Sequence, residues 1–259
     1  VLALVGVAGV HPNAAIFTCL LIAPFFLLRI IPFGIMDQRA EDSSKSAILK
    51  TRCAQIIFCF FCVLLWVAVY NLPFMHGIVS FTWEWGMSLE GILQSIVNGS
   101  FFFGVPQVLL CPLFAIGAIY VLIHEKEQRW FFLSFAIVLL IYIGAGAFSA
   151  EVRSFFSGFW YTDPERIAAM VAISLVPFIY FGLHGVVLAA YSVLKHLRCF
   201  SGNLGFNLSA VLISLLFFFL NCYPFNYAYA WEDHSRSDLT NAFTLNSYDL
   251  YNGYSRYRV

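Results

Sequence analysis

The stretch WFFLSFAIVLLIYIGAGAF, residues Trp130–Phe148, contains no Asp, Glu, Lys or Arg. An α-helix needs about 20 consecutive apolar residues to cross the hydrocarbon core of a bilayer. A helix that is apolar on every side also has no polar face to turn toward water. We therefore expect this stretch to be a membrane-spanning helix.

Five further apolar segments follow the same pattern and are separated by short charged or Pro- and Gly-containing breaks. They are Asn13–Phe33, Cys53–Tyr70, Phe101–Ile123, Ile167–Leu194 and Leu204–Leu220. Hydrophobic residues make up 61% of the chain and charged residues 11%, and the mean hydropathy is +0.82. A soluble domain of 259 residues has too little interior to bury so much apolar surface. The sequence predicts an all-α fold, a polytopic transmembrane helix bundle with six complete helices.

The segment Val1–Val10 is apolar as well, and no basic region precedes it. It does not have the pattern of a signal peptide, which needs a positively charged start and a small-residue cleavage site. We expect it to be the end of a seventh helix from a longer parent protein. Residues 1–220 then form the bundle, and residues 221–259 form an extracytoplasmic tail.

The tail is rich in tyrosine and has two possible roles. Its tyrosines are Tyr223, Tyr227, Tyr229, Tyr248, Tyr251, Tyr254 and Tyr257. Amphipathic rings of this kind anchor a chain at the membrane interface, or they form a lid that stacks on a sugar. Glu232–His234 together with Asp238 form either a solvated loop or a site for a divalent cation. No other cofactor is expected.

Several helix ends can be predicted from capping residues and breaks. Asp163 is a candidate N-cap, and Pro164 suits the first position of the helix that follows. In the third apolar segment, Gly104, Pro106 and Pro112 predict a kink.

Positive residues predict the topology. Short loops rich in Lys and Arg stay in the cytoplasm. The residues concerned are Arg39, Lys45, Lys50, Arg52, Lys126, Arg129, Lys195 and Arg198. The loops Asn71–Ser100, Ser149–Arg166 and Asn221–Val259 then lie outside a cell membrane. Lys plus Arg and Asp plus Glu both total 14, so the net charge says nothing about a nucleic-acid or acidic partner. The expected partner is the lipid bilayer, and no nucleic-acid partner is expected.

The second of these outer loops holds the densest group of polar side chains. It reads SAEVRSFFSGFWYTDPER over residues Ser149–Arg166. A structural interpretation treats Asp163 as an N-cap and places Trp160 and Tyr161 in the interfacial aromatic belt. Glu151 and Arg153 are then a solvated pair.

A functional interpretation of the same loop requires a concave outer surface. Arg166 would bind a phosphate through two parallel hydrogen bonds. Asp163 would accept a hydroxyl proton or bind a cation, and Trp160 would stack on a sugar. Spacing alone does not separate the two interpretations.

Two short motifs carry a family resemblance. The segment FWYTDPERIAAM, Phe159–Met170, resembles a W-Y-x-D-x-x-R-apolar-A-A signature of large actinobacterial polytopic membrane proteins. The segment His11–Ala14, HPNA, resembles their outer H-P-N/S-A turn. Those proteins resemble GT-C glycosyltransferases, which use polyprenyl-phosphate sugars as donors.

The resemblance implies an enzyme that moves a sugar from a polyprenyl phosphate to a cell-envelope glycan at the outer face. Asp163 is the catalytic candidate. The substrate-binding candidates are Arg166, Trp160, Tyr161, His11, Asn13, Glu151 and Arg153. In GT-C enzymes the catalytic acid lies in the first outer loop, which the resemblance places upstream of Val1.

A non-enzymatic role is the alternative. The chain is then an envelope-assembly scaffold or a lipid or solute transporter. Transporters carry polar residues near the midplane of the membrane. The apolar segments here are nearly free of them, which favours surface chemistry or scaffolding.

Overall fold

A computed structural model describes residues 12–36, 45–81, 89–101, 107, 109–196 and 202–222. These residues form helices and turns, with no β-strand among them, which confirms the predicted all-α fold. The α-helices are α1 (Pro12–Phe25), α2 (Ile31–Met36), α3 (Lys45–Tyr70), α4 (His76–Val79), α5 (Leu89–Asn98), α6 (Leu110–Ile123), α7 (Trp130–Ala147), α8 (Ala150–Ser157), α9 (Pro164–His196) and α10 (Gly202–Cys222). The predicted helix end at Val1–Val10 and the tyrosine-rich tail beyond Cys222 lie outside the described residues.

Four helices are long and apolar enough to cross a membrane. They cover Asn13–Ile35, Ser46–Tyr70, Lys126–Ala147 and Pro164–His196. Two shorter apolar helices cover Leu110–Ile123 and Gly205–Phe219. Each of the six predicted segments therefore contains an apolar helix, and the protein is an integral membrane protein.

The third apolar helix is shorter than predicted. The sequence predicts a helix from Phe101, whereas α6 begins at Leu110 and has 14 residues. At 1.5 Å per residue it is about 21 Å long, less than the ~30 Å hydrocarbon core. Pro112 lies in the first turn of this helix, where a proline is tolerated, so the kink predicted there is wrong. Gly104 and Pro106 lie outside the described residues.

The chain before α6 turns because of a glycine. Gly99 ends α5 with φ of +65°, and a Cβ at this position would lie 3.1 Å from the carbonyl oxygen of Gln107. The amide of Gln107 donates a hydrogen bond to the carbonyl of Asn98 at 2.9 Å. This left-handed turn separates α5 from α6, although apolar residues continue across it.

The described residues of Val1–Leu93 and Ile119–Pro177 form one compact unit. In it, α1 packs against α7. The hydroxyl of Ser134 donates to the carbonyl of Leu21 at 2.8 Å, and the rings of Phe25 and Trp130 meet edge to face at 5.3 Å.

A π-helical turn, Phe26–Ile30, joins α1 to α2 without a break. The amide of Ile31 bonds to the carbonyl of Phe26, five residues back. The same pattern would pair Leu27 with Pro32, but proline has no N–H. The side chain of Gln55 on α3 fills this gap, donating to the Leu27 carbonyl at 2.9 Å. Freed carbonyls in membrane helices need such a neighbour.

The described residues of Gln94–Ala118 and Phe178–Val259 form the second unit. Within it, α6 and α9 meet at two glycines. A Cβ on Gly117 would lie 1.8 Å from the carbonyl oxygen of Phe178, and one on Gly182 would lie 2.2 Å from that of Leu113. Only glycine permits such a close approach of two backbones.

Candidate functional site

The Trp160–Arg166 turn leads from a 3₁₀ segment, Gly158–Trp160, into α9. Asp163 stands directly before the helix. Its Oδ1 atom accepts hydrogen bonds from the backbone amides of Glu165 at 3.0 Å and Arg166 at 3.4 Å. These amides lack partners inside the helix, so the carboxylate satisfies them. The predicted N-cap is confirmed.

The second oxygen of the same carboxylate holds Arg166. Its Oδ2 atom lies 3.1 Å from the Nε atom of Arg166. The Cζ atom of Arg166 also lies 4.8 Å from the centroid of the Tyr161 ring, within the range of a cation–π contact. The guanidinium is thus fixed by a carboxylate at one edge and an aromatic ring below.

The terminal nitrogens of Arg166 have no hydrogen-bond partner within the described ranges. The Arg166 side chain is 50% exposed, whereas that of Asp163 is 12% exposed. A guanidinium has five donors in a fixed plane, and the described residues use only the Nε donor. The arrangement leaves two amino groups for an anion such as phosphate.

The backbone of the turn adopts a rare conformation. Tyr161 has φ of 61° and Thr162 has φ of 52°, and neither is glycine. Left-handed residues cost roughly 1–2 kcal/mol each, and a β-branched residue there is an outlier. Thr162 is completely buried. Since such a conformation persists only when its surroundings enforce it, the position of the Tyr161 ring is imposed by packing.

Trp160 lies in the core. It is 3% exposed, and its indole Nε1 donates to the carbonyl of Asn13 at 3.1 Å. The prediction that Trp160 stacks on a sugar is therefore wrong for this structure, because its ring faces are covered. Asn13 contributes its backbone carbonyl to this contact, and its side chain accepts from the amide of Ala14. His11 lies outside the described residues.

Glu151 and Arg153 are both on α8 and do not pair with each other in the part of the chain that the structure describes. Arg153 donates instead to the carbonyl of Phe148 at 3.2 Å, beyond the end of α7. Its Nε atom is buried without a partner among the described residues. Glu151 is exposed in the first turn of α8. The predicted solvated pair is therefore wrong.

The turn packs on residues outside the two sequence motifs. The ring of Phe159 meets the ring of Trp66 edge to face at 4.7 Å, and Trp66 donates to the carbonyl of Phe155 at 3.2 Å. Gly158 lies against α4, since a Cβ there would be 3.2 Å from the carbonyl oxygen of Val79. The aromatic Trp66 and Tyr70, four residues apart at the end of α3, were the available signal.

A cavity of about 600 Å³ opens beside this packing, and we name it the Tyr70 cavity. Its polar lining comes from Tyr70, Asn71, His76, Ser80 and Ser154. Phe81, next to Ser80, meets the ring of Tyr161 at 6.0 Å, so the cavity and the turn are neighbours.

A metal site is not evident among the residues that the structure places. Within the described ranges, no group of three or more His, Cys, Asp or Glu side chains is arranged to hold an ion. The possible cation site at Glu232–His234 and Asp238 lies outside those ranges and stays a prediction.

The long apolar helices and the polar turn define a helical integral membrane protein with an arginine-centred site. The chain belongs to a family of unknown function, DUF6541, whose model matches residues 1–252. No curated protein and no solved structure matches the chain.

Proposed function

We propose that this protein is a GT-C-like membrane glycosyltransferase. It transfers a sugar from a polyprenyl-phosphate donor to a cell-envelope glycan at the outer face of the cell membrane. The supporting motifs are those of the Trp160–Arg166 turn and the His11–Ala14 segment.

The geometry of Arg166 carries the proposal. The Asp163 carboxylate and the Tyr161 ring hold the guanidinium, and its two terminal amino groups have no partner among the described residues. An arginine in the first turn of a helix opposes the positive end of the helix dipole. That position becomes favourable when a phosphate binds there, because the dipole and the guanidinium then both attract the anion.

Asp163 has a second role in this proposal. Both of its oxygens are occupied, one by the backbone amides and one by Arg166. Its Oδ2 atom has a second lone pair beside the one that Arg166 uses, and this lone pair can accept a proton from a sugar hydroxyl while Arg166 holds the phosphate. Asp163 then acts as the catalytic base while its Oδ1 atom continues to cap α9.

The contacts of the first unit support the proposed topology. Segments that the charge pattern places outside contact one another, as in the Trp160–Asn13 hydrogen bond and the Tyr70–Ser154 hydroxyl pair at 3.1 Å. At the other end, Arg29 forms an ion pair with Glu127 at 2.8 Å. In the proposed topology, the first set lies at the outer ends of the helices and the second at their cytoplasmic ends.

The test is a polyprenyl-phosphate-binding and sugar-transfer assay on purified variants. Arg166→Gln removes the charge and should weaken phosphate binding by about 10- to 150-fold, the range expected for hydrogen bonds to a charged group. Arg166→Lys keeps the charge but loses the planar fork, so its affinity for phosphate should lie between those of the parent and of Arg166→Gln.

The matched control is Arg129→Lys. In the parent, the Arg129 guanidinium donates a hydrogen bond to the carbonyl of Leu122, near the C-terminal end of α6. The Arg129→Lys variant should bind polyprenyl phosphate as the parent does. Parental affinity in Arg166→Gln would contradict the proposal.

A non-enzymatic envelope scaffold is the second candidate. The observation that favours it is the structural use of this turn, because Trp160 is buried and both carboxylate oxygens of Asp163 have partners. If Asp163→Asn and Arg166→Gln both act as the parent does in an envelope-assembly assay, the scaffold replaces the enzyme.

A further inference from the structure

The Tyr70 cavity presents oxygen acceptors whose own protons are already used. The hydroxyl of Ser154 donates to the carbonyl of Val79 at 2.6 Å. The Tyr70 hydroxyl, 3.1 Å from Ser154 Oγ, must then be the donor in that pair. The hydroxyl of Ser80 donates to the carbonyl of His76 at 2.6 Å. The oxygens of Tyr70 and Ser80 therefore keep lone pairs to accept hydrogen bonds from a ligand.

Asn71 and His76 complete the polar lining. The side-chain Nδ2 atom of Asn71 donates to the carbonyl of Val67 at 2.7 Å. The Oδ1 atom of the same side chain is therefore available as an acceptor. The imidazole of His76 is exposed and has no partner among the residues that the structure describes. It offers one donor and one acceptor when neutral. The described lining thus has three oriented acceptors and two groups able to donate, which are the His76 imidazole and the second N–H of the Asn71 side-chain amide.

The chemistry of the lining selects a neutral ligand. Among the residues that the structure describes, no Lys, Arg, Asp or Glu lines the cavity, so a phosphate or an ammonium group would find no opposite charge in this lining. A ligand must instead supply several hydroxyl donors. Leu72 and Pro73 add an apolar wall for the C–H face of a ring. The volume of about 600 Å³ is within the ~300–1,000 Å³ typical of small-molecule sites.

We infer that the Tyr70 cavity binds a neutral, polyhydroxylated sugar ring. The assignment of this sugar to the acceptor glycan rests on the proposed function, whereas the binding of a neutral sugar rests on the cavity alone. The Phe81–Tyr161 contact places such a sugar beside the turn that carries Arg166.

The test uses ligand-observed saturation-transfer NMR on the protein in phosphatidylcholine nanodiscs, since sugar detergents would occupy the cavity. The probes are methyl glucoside and methyl mannoside, with glucose 6-phosphate as the charged counterpart and octyl glucoside as a lipid-linked form. We expect at least one methyl glycoside to bind, and glucose 6-phosphate to bind less well. Binding of octyl glucoside without the methyl form would identify a glycolipid head group as the source of the sugar.

Three variants tie the signal to the cavity. Asn71→Leu and His76→Leu should each weaken glycoside binding about fivefold, as expected for one lost hydrogen bond. Ser80→Trp should abolish it by filling the space. His124→Leu, a histidine at the predicted cytoplasmic end of α6, is the matched control, and the melting temperature of each variant verifies folding.

Arg166→Gln separates this inference from the proposed function. It should leave methyl glycoside binding at the parental level while polyprenyl-phosphate binding falls. Parental polyprenyl-phosphate binding in that variant overturns the proposed function and leaves the sugar result intact. The inference itself is overturned if neither methyl nor octyl glycosides bind, if Asn71→Leu and His76→Leu bind as the parent does, or if glucose 6-phosphate binds best.

Discussion

The indole Nε1 of Trp160 donates a hydrogen bond to the backbone carbonyl of Asn13 at 3.1 Å, joining residues 147 positions apart in the sequence. The contact ties the start of α1 to the turn before α9. It also links the two motifs that carry the family resemblance directly.

Replacing Trp160 with Phe should destabilise the protein by about 1–2 kcal/mol, because it removes this hydrogen bond and part of a buried ring. The measurement is thermal unfolding in detergent. Trp130→Phe is the control, since Trp130 packs on Phe25 without an indole hydrogen bond among the described residues. Equal melting temperatures for the two variants would show that the Trp160–Asn13 bond contributes nothing.

Asp163 should distinguish capping from catalysis when it is replaced in two ways. Asp163→Asn retains an oxygen for the helix amides, so stability should change little, whereas Asp163→Ala should cost about 0.5–2 kcal/mol. A catalytic Asp163 requires that the Asn variant lose sugar transfer while it keeps its melting temperature. Full transfer by a stable Asn variant would remove Asp163 from the chemistry.

The glycine contacts of the second unit predict a strong effect of one methyl group. Gly117→Ala would place a Cβ 1.8 Å from a carbonyl oxygen, so α6 and α9 must separate. We expect a loss on the order of 1–3 kcal/mol, as for other overpacked sites. Gly34→Ala is the matched control, because nothing lies within 4 Å of a Cβ at that glycine. If both variants melt alike, the close approach of α6 and α9 is not maintained in the membrane.

The topology can be tested by labelling single cysteines with an impermeant thiol reagent in intact cells. The background needs all seven native cysteines replaced. Cysteines at Glu90 and Glu151 should react, and cysteines at Lys126 and Lys195 should be protected. All four positions are exposed in the structure, so protection reports sidedness rather than burial. The opposite labelling pattern would invert the topology.

Hydropathy predicted the apolar helices because a membrane-spanning helix requires a long run of apolar residues. Hydropathy also placed the start of α6 too early, at Phe101 rather than Leu110, because it follows apolar residues and does not detect turns. The apolar residues continue through Phe101 and Leu109, but the left-handed Gly99 and the turn after it end one helix before the next begins. A glycine is ambiguous in sequence, since membrane helices also contain it.

The shorter helices between the long apolar segments were not predicted, although the sequence of one of them has a helical pattern. Residues Leu89, Ile92, Leu93, Ile96 and Val97 recur with the spacing of an amphipathic helix, and α5 covers them. The predicted site could be read only in part. Asp163 followed from local capping rules, whereas the burial of Trp160 depends on Asn13 and Trp66, distant residues that no local pattern connects.

The π turn at Phe26–Ile30 has a consequence for comparing members of this family. A turn with five-residue spacing holds one more residue than the α-helical path it replaces. A relative with an uninterrupted α-helix here should therefore align with a single-residue gap. Such a relative would have no orphaned Leu27 carbonyl, so the gap, Pro32 and Gln55 should be gained and lost together in evolution.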